Sequence, residues 1–217
     1  MNEKIREYEA DGVTVHYSVR RCIHAEECVH GLPEVFDASR RPWIDPAQAA
    51  PDAVAEVVWR CPTGALHAVR KDGGAGEPIP PVNTIRVAPD GPLYVHGDVE
   101  IAAGDGTVLL RDTRVALCRC GASKNKPFCD NSHRAAAFED AGRLRDVKVK
   151  PAADGAGGAL RVTLSANGPL LLEGPLTLRA AGGETAEGGR TALCRCGQSA
   201  NKPFCDGSHA RTGFEDA

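Results

Sequence analysis

The chain has 217 residues, of which 42% are hydrophobic and only 5% aromatic, and a net charge of −3. That mild balance speaks against a nucleic-acid-binding or membrane-surface protein, whose partners call for a concentrated positive face. The charged opening, Met1-Asn2-Glu3-Lys4-Ile5-Arg6-Glu7, has no apolar signal segment, and no stretch reaches the length of a membrane span, so a soluble cytoplasmic protein is expected.

Taken in chain order, Val13-Thr14-Val15-His16-Tyr17-Ser18-Val19 alternates as a strand does, and residues 51–59 set Val54, Val57 and Val58 at helical spacing. Cys22 and Cys28 lie between these two elements, and Cys61-Pro62 follows them. Bacterial ferredoxins write a cluster loop as Cys-x2-Cys-x2-Cys with a distant Cys-Pro. Here Ala25 occupies the middle position, and Leu32-Pro33-Glu34-Val35-Phe36-Asp37 and Cys61-Pro62-Thr63-Gly64-Ala65 complete the pattern. Residues 5–70 thus resemble the divergent single-cluster ferredoxin family. The resemblance implies a cluster on Cys22, Cys28 and Cys61, of [3Fe–4S] type because a missing fourth thiolate leaves one corner of the cube without iron. His24, one residue before the vacant position, is a candidate fourth ligand that would make the cluster [4Fe–4S]; the alternative is a solvated loop histidine. Without a cluster, the three thiols would be small buried hydrophobes. Trp43 and Trp59 read as core.

Residues 71–81 are rich in glycine and proline and have no periodic apolar face, which marks a linker. The expected organisation is a first domain over 1–72, a linker over 73–82, and a second domain over 83–217 that divides into units 83–141 and 142–217. The second domain repeats itself. Ile85-Arg86-Val87 answers Leu160-Arg161-Val162, Gly91-Pro92-Leu93 answers Gly168-Pro169-Leu170, and Val99 and Ile101 answer Leu176 and Leu178. Each unit therefore reads as a few short strands ahead of a loop. A surface turn is expected at residues 154–158.

The loops carry the chemistry. Cys118-Arg119-Cys120 with Cys129 and His133, and Cys194-Arg195-Cys196 with Cys205 and His209, share the spacing Cys-x-Cys-x8-Cys-x3-His. The flanks repeat as well: Ala-Leu before, Asn-Lys-Pro-Phe between, Phe-Glu-Asp after. Three thiols and an imidazole can saturate a metal centre. Cysteines one residue apart can reach one metal atom. The four-residue step from Cys129 to His133, and from Cys205 to His209, is the spacing of neighbours on a helical face, so that pair can share a second metal. Asp130 and Asp206 would then open the first helical turn. Two pairs fit a two-iron rhomb better than one tetrahedral zinc, whose structural sites favour Cys-x2-4-Cys.

These loops resemble the CDGSH iron–sulfur family, the NEET proteins, in Cys-x-Cys, in Ser123 or Ser199, in Pro127 or Pro203, and in Cys-Asp-x-Ser-His. The resemblance implies a [2Fe–2S] cluster in each copy, with Cys118 and Cys120 on the inner iron and Cys129 and His133 on the outer one. Cys194, Cys196, Cys205 and His209 match the same roles. The first copy has Asn131 where the family and Gly207 have glycine, and asparagine is the residue that best tolerates the positive φ of such a turn. The expected fold class is α+β: a small ferredoxin-like domain, then a β-rich tandem CDGSH domain with pseudo-two-fold symmetry and short helices at the cluster loops. One chain carries both halves, so a monomer is expected.

Neither a nucleophile with its base nor a nucleotide loop is present; Gly73-Gly74-Ala75-Gly76 lacks the lysine and helix of a phosphate loop, so no enzyme is expected. His16, His30, His67 and His96 have no cluster-spaced cysteine and read as ordinary histidines. Three functions compete. The first is a one-electron carrier working with a redox partner protein. The second is a donor that passes a cluster to an apo iron–sulfur acceptor. The third is a zinc-stabilised interaction module.

Overall fold

The computed structural model describes residues 4–152 and 157–216, so the turn expected at residues 154–158 falls largely outside them. The chain forms two compact units, Met1–Pro78 and Ile79–Ala217, each with its own apolar core. No helix among the described residues is long and apolar enough to cross a membrane. The structure is β-rich, with few and short helices.

In the first unit, β1 (Ile5–Ala10), β2 (Val13–Ser18) and β3 (Leu66–Arg70) make an antiparallel sheet in that order. Burial along β2 does not alternate: Thr14 and Ser18 are covered as fully as Val13, Val15 and Tyr17. The central position explains this, since β1 and β3 flank the strand on both sides. Helix α2 (Pro51–Val58) begins with a proline, whose missing N–H costs nothing in the first turn. It buries Val54, Ala55, Val57 and Val58, as their spacing requires. The shorter α1 (Glu27–Gly31) follows two residues with positive φ, His24 and Glu26. Trp43 and Trp59 are half-buried against this core, and Trp43 meets the Tyr17 ring edge-on at 5.0 Å.

In the second unit, β4 (Thr84–Val87), β5 (Leu93–Ala102) and β6 (Val108–Leu117) are antiparallel neighbours, and α3 (Ser132–Ala135) follows. The second half repeats this with β8 (Leu160–Leu164), β9 (Leu170–Arg179), β10 (Thr185–Leu193) and α4 (Ser208–Arg211), preceded by the two-residue β7 (Val149–Lys150). The halves are exchanged into one another. Strand β4 runs parallel to β9 with Ile85 beside Leu178, and β8 runs parallel to β5 with Val162 beside Ile101. The first strand of each half thus pairs with the second strand of both, closing a four-strand ring flanked by β6 and β10. A single core fills it, drawn from Ile85, Val95, Ile101 and Val115 and from Val162, Leu172, Leu178 and Leu193.

The register corrects one correspondence of the repeat. Ile85 stands opposite Val95, and Val162 stands opposite Leu172. Ile85 therefore answers Val162 and not Leu160. A slip of two residues leaves every side chain on its own face, so the apolar pattern is blind to it.

Candidate metal centres

Each loop is held open by the same bonds. The amide of Cys118 donates to Pro127 O at 2.8 Å and that of Cys129 to Ala116 O at 2.9 Å; Cys194 and Cys205 repeat this on Pro203 O at 2.7 Å and Ala192 O at 2.9 Å. The buried Ser123 hydroxyl donates to Phe128 O at 2.7 Å and accepts from the Asn125 amide at 3.0 Å, with Ser199 doing the same on Phe204 and Asn201. The peptide bonds before Pro127 and Pro203 are both cis. These contacts give the repeated Asn-Lys-Pro-Phe and serine positions their structural reason.

The ligand atoms fall into two pairs. The sulfurs of Cys118 and Cys120 lie 3.6 Å apart, and Cys129 Sγ lies 3.5 Å from His133 Nδ1. In the second loop the same separations are 3.7 and 3.4 Å. A tetrahedral metal with bonds of about 2.3 Å to sulfur and about 2.0–2.1 Å to nitrogen sets two sulfurs about 3.7 Å apart, and a sulfur and a nitrogen about 3.5 Å apart. Each pair is therefore spaced for one metal atom. Among the described residues, no three ligand atoms of either quartet lie within 4.8 Å of one another. One four-coordinate ion would need all four that close. The quartets fit a two-metal cluster.

The four-residue step works differently from the expected helical face. Cys129 and Cys205 precede the helices, which begin at Ser132 and Ser208 after the left-handed residues Asn131 (φ 70°) and Gly207 (φ 84°). That turn folds histidine back to cysteine. Asp130 and Asp206 do not open a helical turn either. Asp130 accepts from the amides of Ser132 at 3.0 Å and Lys124 at 2.8 Å, pinning the turn to the preceding loop. Asp206 does the same with Ser208 and Ala200. The backbone amides of Asn131 and Gly207 point at Cys129 Sγ and Cys205 Sγ, at 3.4 and 3.5 Å.

In the first unit, Cys22, Cys28, Cys61 and His24 all line one cavity of about 530 Å³, together with Tyr17 and Trp43. The three thiols and the candidate histidine are thus brought to one space, and Ala25 lines it at the vacant position. Burial, and then the neighbouring Cys61, push the Cys28 thiol up to about 11. The cavity suits a cluster carried by three sulfurs, with His24 at its exposed rim.

Comparison with known proteins agrees with this geometry. Residues 90–134 and 167–210 both match the family described as iron-binding zinc finger, CDGSH type. Residues 8–71 match the divergent 4Fe-4S mono-cluster family. It is a tandem CDGSH iron–sulfur protein. Uncharacterized protein YjdI of Escherichia coli, in strains K12 and O157:H7, is 34% identical to it over 59 residues, which is 27% of this chain and 78% of the relative.

In the tandem CDGSH protein, the sequence pattern hides three further working residues. Arg119 and Arg195, inside the two Cys-Arg-Cys runs, are the largest fully buried side chains. Arg119 donates to Gly91 O at 2.8 Å and Ala88 O at 2.5 Å, pairs with Asp140, and lies 5.1 Å from the Phe138 ring. Arg195 repeats this on Gly168 O, Ser165 O, Asp216 and Phe214. The repeated Phe-Glu-Asp flank exists to receive these guanidinium groups, and that repetition was the available signal. In the first unit, buried Arg21 donates twice to Thr63 O, at 3.1 and 2.7 Å, so the loops carrying Cys22 and Cys61 are tied together. Nothing in the sequence marks Arg21.

Burial pushes Cys129 and Cys194 up to about 11. Contact with Cys120 holds Cys118 down to about 6 and pushes Cys120 up in return. Since thiolate is the metal-binding form, cluster assembly must release protons. The His133 imidazole is lowered by burial and then by the adjacent Arg134 guanidinium, which favours the neutral, coordinating form.

Proposed function

We propose that the protein is a one-electron carrier, not an enzyme, with a [2Fe–2S] cluster on Cys118, Cys120, Cys129 and His133, a second on Cys194, Cys196, Cys205 and His209, and a [3Fe–4S] cluster on Cys22, Cys28 and Cys61. The observation that carries this reading is the pairing of ligand atoms at single-metal spacing within quartets too open for one ion. It weighs against the zinc-stabilised module. When bound, the clusters supply reversible one-electron chemistry. The chain's own part is to hold the thiolates in buried loops and to set His133 and His209 at the outer positions, with His133 kept neutral by its burial and by Arg134. The partner would be a redox protein, and the compartment cytoplasmic.

A second reading, cluster donation to an apo acceptor, is favoured by the half-buried His133 and His209. Imidazole is a neutral, protonatable and weaker ligand than thiolate, so it can release iron more readily, and both rings are partly exposed.

Purification without oxygen, followed by iron, sulfide and zinc counts and EPR, tests the first reading. About seven irons are expected, from two plus two plus three, with an oxidised near-isotropic signal from the N-terminal cluster. Eight irons without that signal would assign [4Fe–4S] and bring in His24. Stoichiometric zinc with negligible sulfide would refute the reading. Incubation with an apo-ferredoxin decides between carrier and donor.

A further inference from the structure

Around their outer ligand pairs the two CDGSH halves differ. In the first, Tyr94 stands across the sheet from Arg86, whose guanidinium carbon lies 4.3 Å from the ring centroid, and Cys129 is 3% exposed. The strand register puts Leu171 and Thr163 at the equivalent places in the second half. With no ring and no cation there, Leu171 is 40% exposed and Cys205 is half-buried.

A cleft of about 280 Å³ opens at this point, lined by Lys148, Lys150, Leu171, Glu173, Arg190 and Cys205, among others. Its lysines come with β7, which adds to the edge of β10 through Lys150 opposite Arg190. Among the described strands, β6 has no such addition. Arg190 is paired with Glu173 at 2.6 Å, so the two ammonium groups are the cleft's excess charge. The rest of the chain is net acidic.

We propose that the cleft at Cys205 is the docking surface for an acidic electron-transfer protein, so that electrons enter and leave by the second CDGSH centre. This rests on the carrier reading. An apolar residue flanked by two lysines beside a redox ligand suits such a contact. Leu171 gives a dry centre, while Lys148 and Lys150 meet the partner's carboxylates and steer its approach. The step is one electron: the partner's centre loses what the second cluster gains, and no proton need move. At the first centre Tyr94 and Arg86 cover the equivalent approach.

The holoprotein would be mixed in stopped flow with a reduced acidic plant-type ferredoxin as probe, and the second centre followed by freeze-quench EPR. The parent rate should fall as salt rises. Lys148→Glu with Lys150→Glu should slow it at least tenfold at low salt, while complete reduction by dithionite shows the clusters intact. Tyr94→Leu, which uncovers the first centre without supplying lysines, should leave the rate unchanged. Equal rates in parent and double variant, or a parent rate indifferent to salt, would overturn the proposal. A salt-sensitive dimer lost in the double variant would give the cleft to a second copy and overturn it too. Clusters that take no electron from dithionite would instead sink the carrier reading itself.

Discussion

Arg119 sits between two thiol ligands, is buried from solvent, and fixes the loop that presents them. Its guanidinium satisfies two carbonyls of the turn between β4 and β5 and one carboxylate beyond α3. Removing one member of a buried charge pair leaves the others unsatisfied and costs about 3–5 kcal/mol. Arg119→Ala should therefore lower the unfolding free energy by that order in denaturant titration and strip iron from the first centre ahead of the second. The same scale governs acid sensitivity. His133 can coordinate only while neutral, and burial with Arg134 lowers its pKa from the ordinary value of about 6.5. The neutral form then persists to lower pH, so the first cluster should be retained at neutrality and bleach only as pH falls below about 6.5. His133→Cys should slow that bleaching, and Arg134→Ala should move it to higher pH; absorbance followed after a pH drop measures both.

Among the elements, the two cluster loops meet each other. Cys120 and Cys196 form an antiparallel bridge, and the glycine after each has positive φ, Gly121 at 81° and Gly197 at 80°. A Cβ on Gly121 would fall 2.5 Å from Cys196 O, and one on Gly197 would collide with Cys120 O. Neither obstacle is a flexible side-chain tip. Gly121→Ala should thus impair both centres and not only its own, as loss of iron at each by EPR would show; loss confined to the first centre would refute the coupling. The loop spacing was legible in the sequence, but its mechanism was not. Cys-x3-His reads as a helical face, and the pair is brought together by a left-handed turn ahead of a one-turn helix. Asn131 was readable because its tolerance of positive φ is a property of the residue itself. Arg119 was signalled only by the repeated Phe-Glu-Asp flank that receives it, since a charged residue in a loop ordinarily faces water.

At the scale of the molecule, the repeat does not make two domains. β4 and β8 each complete the other half's sheet, and both halves share one core, in which each buried leucine or valine contributes about 1.5–3 kcal/mol. Residues 79–217 should fold and take up iron as a separate fragment, since their core contains no residue of the first unit. Residues 79–141 alone should not, because β4 and β5 would each expose an unpaired edge and an open core. Cooperative denaturation of the longer fragment and its absence in the shorter would bear this out; a cooperatively folded 79–141 would refute it. The sequence by itself determined which residues are ligands to propose, that they come in two equal sets, and where the chain divides, because metal-ligand chemistry and linker composition are local. Tertiary structure alone decided that the two sets meet at Cys120 and Cys196, that Ile85 answers Val162, and that Cys205 lines a cleft with Lys148 and Lys150. Those depend on strand register and on which edge β7 covers, and a period-two apolar pattern carries no information about either.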